Sequence, residues 1–333
     1  MNRKKWLKIL ATVVLTVAVY LLIYFLMDSG TMSRSWQTLV VRMCYNIVLA
    51  VSLNLVVGYL GELSLGHAGF YAIGAYVGCL VAIQIEGPIA LQFVAGLLTG
   101  GVAAAIGGFL ISSSILRLKG DYLAIVTLAF GEIIRSFVKI IPGLGGTTGL
   151  SGVPSFGSRK EAFTWSFVIV VLTLLLIHNF AASRHGRTVT AIRDNAIAAT
   201  SIGIPIKRYK ILVFTIAAFF AGMAGVMFGF FKTNVEPNDF NYNVSIEILV
   251  MVVLGGMGSL KGSVIAACII TALPEVLRGA DEYRLLIYAI ALILMMLLNS
   301  SPRFVAFRRR LADGARGLRT RLFRRGGREK EGV

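Results

Sequence analysis

Residues 211–231 read ILVFTIAAFFAGMAGVMFGFF, a run with no charged side chain. As a helix at 1.5 Å per residue it is about 32 Å long, against a hydrocarbon core of about 30 Å. In lipid every backbone amide must pair within its own segment, so such a run crosses as a helix. Working outward, comparable runs recur at 7–27, 36–57, 64–85, 89–115, 121–141, 163–182, 244–260, 263–280 and 284–300. The chain is 56% hydrophobic and only 15% charged, with mean hydropathy +0.79. A soluble domain carries about 25% charged residues. The expected fold is therefore all-α, a polytopic integral membrane protein of about ten transmembrane helices. Segments 142–162 and 183–210 are the longest between spans, and neither can form a domain. The expected organisation is a transmembrane domain over 1–302 and a basic tail over 303–333.

The net charge of +17 is distributed as topology, not as a nucleic-acid surface. An even number of spans puts both ends on one side. With the N-terminus inside, the inside segments are 1–8, 58–63, 116–120, 183–210, 261–262 and 301–333, and they hold 24 of the 33 Lys and Arg residues. That bias predicts both termini on the cytoplasmic side of the membrane. No nucleic-acid partner is expected, and membrane lipid is. Leu7–Met27, after Arg3, Lys4 and Lys5, is longer than the apolar part of a signal peptide, about 7–15 residues, and reads as a retained first helix. Cys44, Cys79 and Cys268 lie inside apolar runs without a redox or metal spacing, so they read as small core residues.

Signatures of catalysis are missing from the pattern. Gly255–Gly262 reads GGMGSLKG, but a phosphate loop needs Gly-Lys-Ser/Thr and here the order is Lys261-Gly262-Ser263. His67, His178 and His185 are too far apart to suggest a ligand cluster. Neither an enzyme, a cofactor nor a metal is expected. If ATP drives this protein, another subunit hydrolyses it.

Polar groups inside spans are costly and mark interfaces or passages. Glu132 lies about 16 Å along the fifth span from Asp121, near mid-membrane, with Arg135 at i+3 and Lys139 at i+7. It either pairs structurally with Arg135 or faces a path. Arg42, Asn46 and Asn54 share a broad polar face of the second span, with Asn54 the deepest. The third span opens Ser64-Leu65-Gly66-His67-Ala68-Gly69, and the eighth closes Gly255-Gly256-Met257-Gly258-Ser259. Both read as spans interrupted by glycine. If spans 2–5 and 7–10 form an inverted repeat, these two match, and matched broken helices flank the passage in many transporters. The residues expected along the translocation path are Asn54, Ser64, His67, Glu132, Met257 and Gly258. Small residues at four-residue spacing, Gly96, Gly100, Ala104, Gly108 and Ser112, then Ala221, Gly225 and Gly229, then Gly74 and Gly78, predict close helix packing.

Arg184 to Ile202 reads as one helix with a weak apolar face of Val189, Ile192, Ala196, Ala199 and Ile202, stopped by Gly203 and Pro205. It can rest on headgroups or dock a soluble partner, and the pattern leaves both open.

Six segments in order resemble the permease subunits of branched-chain amino-acid ABC transporters, the LivM type. They are NLVVGYLGELSLGHAGFYAIGAY from Asn54, RLKGDYLAIVTLAFGEIIR from Arg117, GGTTGLSGVP from Gly145, AIRDNAIAATSIGI from Ala191, MVVLGGMGSLKG from Met251, and LPEVLR with YRLLIYA from Leu273 and Tyr283. The resemblance implies an importer of leucine, isoleucine and valine, in which a second permease subunit, two ATP-binding cassette subunits and a periplasmic solute-binding protein are the partners. It favours docking for 183–210. Importer permeases carry Glu-Ala-Ala-x-x-x-Gly in this loop; Ala198, Ala199 and Gly203 match, while Ile197 stands in place of Glu. Arg193, Asp194, Asn195, Ala198, Ala199 and Gly203 are thus the expected ATPase-coupling residues. Similar permeases move urea or short amides, so that solute class stays open. A secondary transporter or channel is the other alternative, and would need no ATPase.

Overall fold

Glycine and alanine decide which helices lie at the centre. In the computed structural model, residues 3–277 are described apart from 31, 116–117 and 119, together with 289–290 and 293. Side chains are described from Val14 onward. The elements are α1 (Arg3–Asp28), α2 (Arg34–Asn54), α3 (His67–Gln84), α4 (Ile89–Ile115), α5 (Asp121–Ile140), α6 (Arg159–Ala182), α7 (Arg184–Asp194), α8 (Ala196–Ser201), α9 (Ile206–Lys232), α10 (Tyr242–Gly255) and α11 (Leu260–Val276). Contacts group residues 1–275 into one unit, and the following concerns that unit.

α3, α4 and α9 pack backbone to backbone. A Cβ on Gly74 would sit 2.2 Å from the Gly222 Cα, and one on Gly222 would sit 2.6 Å from the Gly100 oxygen. Only glycine fits that crossing. Gly96, Gly100, Ala104, Gly108 and Ser112, the stripe seen in the sequence, are all buried on α4. The opposite face of α4 leaves Leu91, Val94, Leu98, Val102, Ile106, Phe109 and Leu110 exposed. A water-soluble protein would not tolerate that face; lipid solvates it.

Among the described residues, five helices are long and apolar enough to cross a membrane: α2 with its continuation to Leu60, α3, α4, α6 and α9. Val14–Asp28 and α10 are apolar but shorter. α5 has 20 residues and carries Glu132, Arg135 and Lys139. A helical multi-pass membrane protein is thus established, and these helices by themselves do not give a count of ten. The end of the ninth expected span, the tail at 303–333 and all of the tenth span at 284–300 except 289–290 and 293 lie outside the described residues, as do Arg117 and Lys119.

Three readings of the sequence need correction. α3 runs unbroken through Gly74 and Gly78, and its interruption precedes it: α2 continues as a π-helical turn over Leu55–Leu60, and helix resumes only at His67. Likewise the eighth span ends at Gly255, with Gly256 and Gly258 at positive φ before α11. Finally, 184–202 is two helices. Asn195 is extended, and its Oδ1 accepts from the Ala198 amide at 3.0 Å, so it caps a new helix instead of continuing the old one. Gly203, at φ +83, does close α8, with Ile204 N bonded to Ala199 O and Gly203 N to Thr200 O.

Contacts also sort the connections into two ends. Arg193 reaches Gly58 and Asn54 reaches Gly258, so the turns after α2 and α10 share an end with α7 and α8. At the other end Leu150 and Val235 exchange backbone hydrogen bonds of 2.9 Å, and the Tyr76 hydroxyl donates to the Val235 oxygen.

Candidate functional site

The site begins with the failure of a helix. Gly61, at φ +78, ends the π-helical turn, and Glu62 N closes back on Val56 O at 3.2 Å. From here Gly61–Gly66 carries no helix. It nevertheless runs deep, because His67 meets Ser52, eight residues before Leu60 on α2. Eight helical residues correspond to roughly 12 Å, so the extended segment climbs back alongside α2 before α3 starts. Non-helical backbone at such depth survives only when buried in protein or lining a polar cavity.

Hydroxyls from three helices meet its polar groups. Thr127 on α5 accepts from the Leu65 amide at 3.0 Å, and Ser245 on α10 accepts from the Ala68 amide at 3.0 Å. The Ser52 hydroxyl donates to Leu49 O, which leaves it to accept from His67 Nε2 at 2.8 Å. Ser64 is 1% exposed and its Oγ has no partner among the described residues. Asn54 is fully buried; its Oδ1 accepts from the Gly258 amide at 2.9 Å, while its Nδ2 is unpartnered. Two buried polar atoms without partners in one broken region are costly, on the order of 1–3 kcal/mol each, unless water or solute visits them.

The expected path residues divide. Asn54, Ser64, His67 and Gly258 belong to this broken region, while Met257 is 62% exposed beside it. Glu132 pairs with Arg135 at 2.8 Å and accepts from the Tyr242 amide at 3.1 Å, where it holds the first turn of α10. This is the ion pair that the sequence offered beside a path-facing role. The coupling residues divide too. Asp194, Asn195, Ala198 and Gly203 are exposed, but Ala199 is 3% exposed and packs into its own chain. Arg193 is exposed too, but its Nη1 reaches back to donate to the Gly58 oxygen at 2.8 Å while Nε and Nη2 donate to Asp194. Ile197 and Ile202 instead carry the exposed apolar surface of this end, at 82% and 76%.

Ser52, Thr127, Ser245 and the part-buried Lys210–Glu62 ion pair were not among the expected site residues. A lone hydroxyl in an apolar helix usually bonds its own preceding turn, as Ser52 and Thr127 also do, so sequence gives it no separate signal. Glu62 and Lys210 did carry one: each is a charge at the end of a span.

The family model described as branched-chain amino acid transport system / permease component matches residues 35–298. The permease protein LivM of the high-affinity branched-chain amino acid transport system of Escherichia coli (strain K12) is 34% identical over 304 residues, covering 82% of this chain and 69% of that protein. LivH of the same system and strain is 24% identical over 281 residues, covering 75% and 88%. A probable LivM from Methanocaldococcus jannaschii is 25% identical over 278 residues, covering 72% and 81%. A family match across most of the chain, with the collinear motifs and the lipid-facing helices, leaves one conclusion: the chain belongs to the family of branched-chain amino acid transport system permease components.

Proposed function

We propose that this chain is the LivM-type membrane subunit of an ATP-driven importer, and that it carries leucine, isoleucine and valine across a bacterial inner membrane. The observation that carries the reading is the 34% identity to a permease named for high-affinity branched-chain amino acid transport. The chain is similar to both LivM and LivH of one system, which supports pairing with a second, related permease. ATP-binding cassette subunits supply the hydrolysis, and a periplasmic solute-binding protein supplies the solute. In this reading the chain has ten spans over 1–302, both termini are cytoplasmic, and 303–333 is a basic cytoplasmic tail.

Solute passes along the broken region of Asn54, Ser64 and His67, beside Gly258. Its unpartnered buried polar atoms support that assignment. The ATPase seats on α8, where Ile197 and Ile202 offer exposed apolar side chains and Ala198 keeps the contact close. Ile197 thus substitutes apolar burial for the carboxylate of the general motif. Deleting the gene from its source bacterium should abolish high-affinity uptake of radiolabelled leucine and leave urea uptake unchanged. Loss of urea or amide uptake with leucine uptake intact would transfer the protein to the alternative solute class.

A further inference from the structure

The α2–α3 break, the α10–α11 break and the end of α7 are joined at one place, and Arg193 is the side chain that joins them. Gly58 lies at its centre. A Cβ there would sit 1.9 Å from Asn54 Oδ1 and 2.2 Å from the Gly258 amide, so the two breaks touch through backbone. Arg193 Nη1 donates to the Gly58 oxygen, and a Cβ on Gly258 would lie 3.4 Å from that same nitrogen. The stem of Arg193 covers Gly61, where a Cβ would meet its Cγ at 2.6 Å. Asp194 takes Nε and Nη2 at 3.0 and 2.9 Å and fixes the guanidinium plane. Lys210, near the start of α9, pairs with Glu62 just past the turn.

The turn so held is π-helical. Such turns occur mostly as single insertions and often at functional sites, and Gly61 at φ +78 allows a change of direction that a side chain would resist. α8 follows Arg193 after only Asp194 and Asn195. A push on α8 therefore arrives first at Arg193 and then at both breaks. We infer that Arg193 is a positioning residue that transmits displacement of α8 to the two membrane breaks through the Gly58 carbonyl. It is not itself part of the docking surface. The inference rests on the proposed function, since it requires an ATPase seated on α8.

The test uses the whole complex, purified on a tag on this chain and reconstituted in liposomes with its leucine-loaded binding protein. Phosphate release and leucine uptake are measured together. In Arg193→Ala the ATPase subunits co-purify as in the wild type, and the ATP hydrolysed per leucine moved rises at least tenfold. An unchanged ratio would overturn the inference, and so would loss of the ATPase subunits, which would make Arg193 a docking residue. If Arg193→Ala does not accumulate, Asp194→Ala decides, because that side chain is 64% exposed and lies outside the core. Its ratio should rise at least twofold, and an unchanged ratio overturns the inference. A wild-type chain that captures no ATPase at all would instead refute the proposed function, so the two failures are distinct.

Discussion

Asn54 shows what a single polar residue does in an apolar helix. Its carbonyl oxygen is the partner of the Gly258 amide, and its own amide is unpartnered. Asn54→Leu removes the acceptor and leaves the part-buried Gly258 N without one. It should lower stability by about 1–3 kcal/mol, read as a fall in the melting temperature of the detergent-purified protein, and it should reduce leucine uptake. Gly58→Ala should be worse, because the methyl group has no space against Asn54 and the Gly258 backbone. Sequence alone pointed to Asn54 because polar groups within spans are costly, and to Ser64 and His67 because glycines there read as a broken span. It did not show that Glu132 holds the first turn of α10. Depth along a helix is legible, but the neighbour across the interface is not. Glu132→Ala removes the acceptor for both Arg135 and the Tyr242 amide. Glu132→Gln keeps an oxygen for Tyr242, so its melting temperature should fall less than that of Glu132→Ala, and equal falls would assign the whole effect to the ion pair.

At the scale of elements, small-residue stripes were legible and chain breaks were only partly so. The stripes at 96–112 and at 74–78 predicted close packing, and Gly74, Gly222 and Gly100 meet backbone to backbone. Glycine in a sequence marks both close contacts and interruptions, which is why Gly74 and Gly78 read as a broken span when they lie inside a continuous α3. The break was displaced to 61–66, where no single residue announces that the segment climbs back into the membrane. The 184–202 stretch was read as one helix because Asn195 looks like an ordinary surface residue; its capping bond to Ala198 shows the new start. That changes the expectation for α8. An acid at position 199 acts on the chain's own packing, since Ala199 is 3% exposed. Ala199→Glu should lower the yield of folded protein. Ile197→Glu and Ile202→Glu, on exposed positions, should leave folding intact and weaken capture of the ATPase subunits at least tenfold in a pull-down. Wild-type capture by both variants would place the docking surface elsewhere.

For the whole molecule, composition and span periodicity made the membrane class legible from the start, because no soluble fold can cover so much apolar surface. Sidedness rests on the Lys and Arg bias, and the structure adds that 142–158 and 233–241 share one end while α7, α8 and the turns after α2 and α10 share the other. Ser155 and Ser201 are both exposed, at opposite ends. A cysteine placed at 155 should react with a membrane-impermeant maleimide added to intact cells, and one at 201 should react only after lysis; the reverse pattern would invert the topology. The central claim is that this chain is a passage driven by another subunit's ATP. Leucine uptake into proteoliposomes tests it most directly, with the chain alone and with its co-purified ATPase, second permease and binding protein. The account predicts accumulation only in the complete assembly with ATP inside the interacting compartment, and none by the chain alone under a proton or sodium gradient. Gradient-driven accumulation by the isolated chain would contradict it.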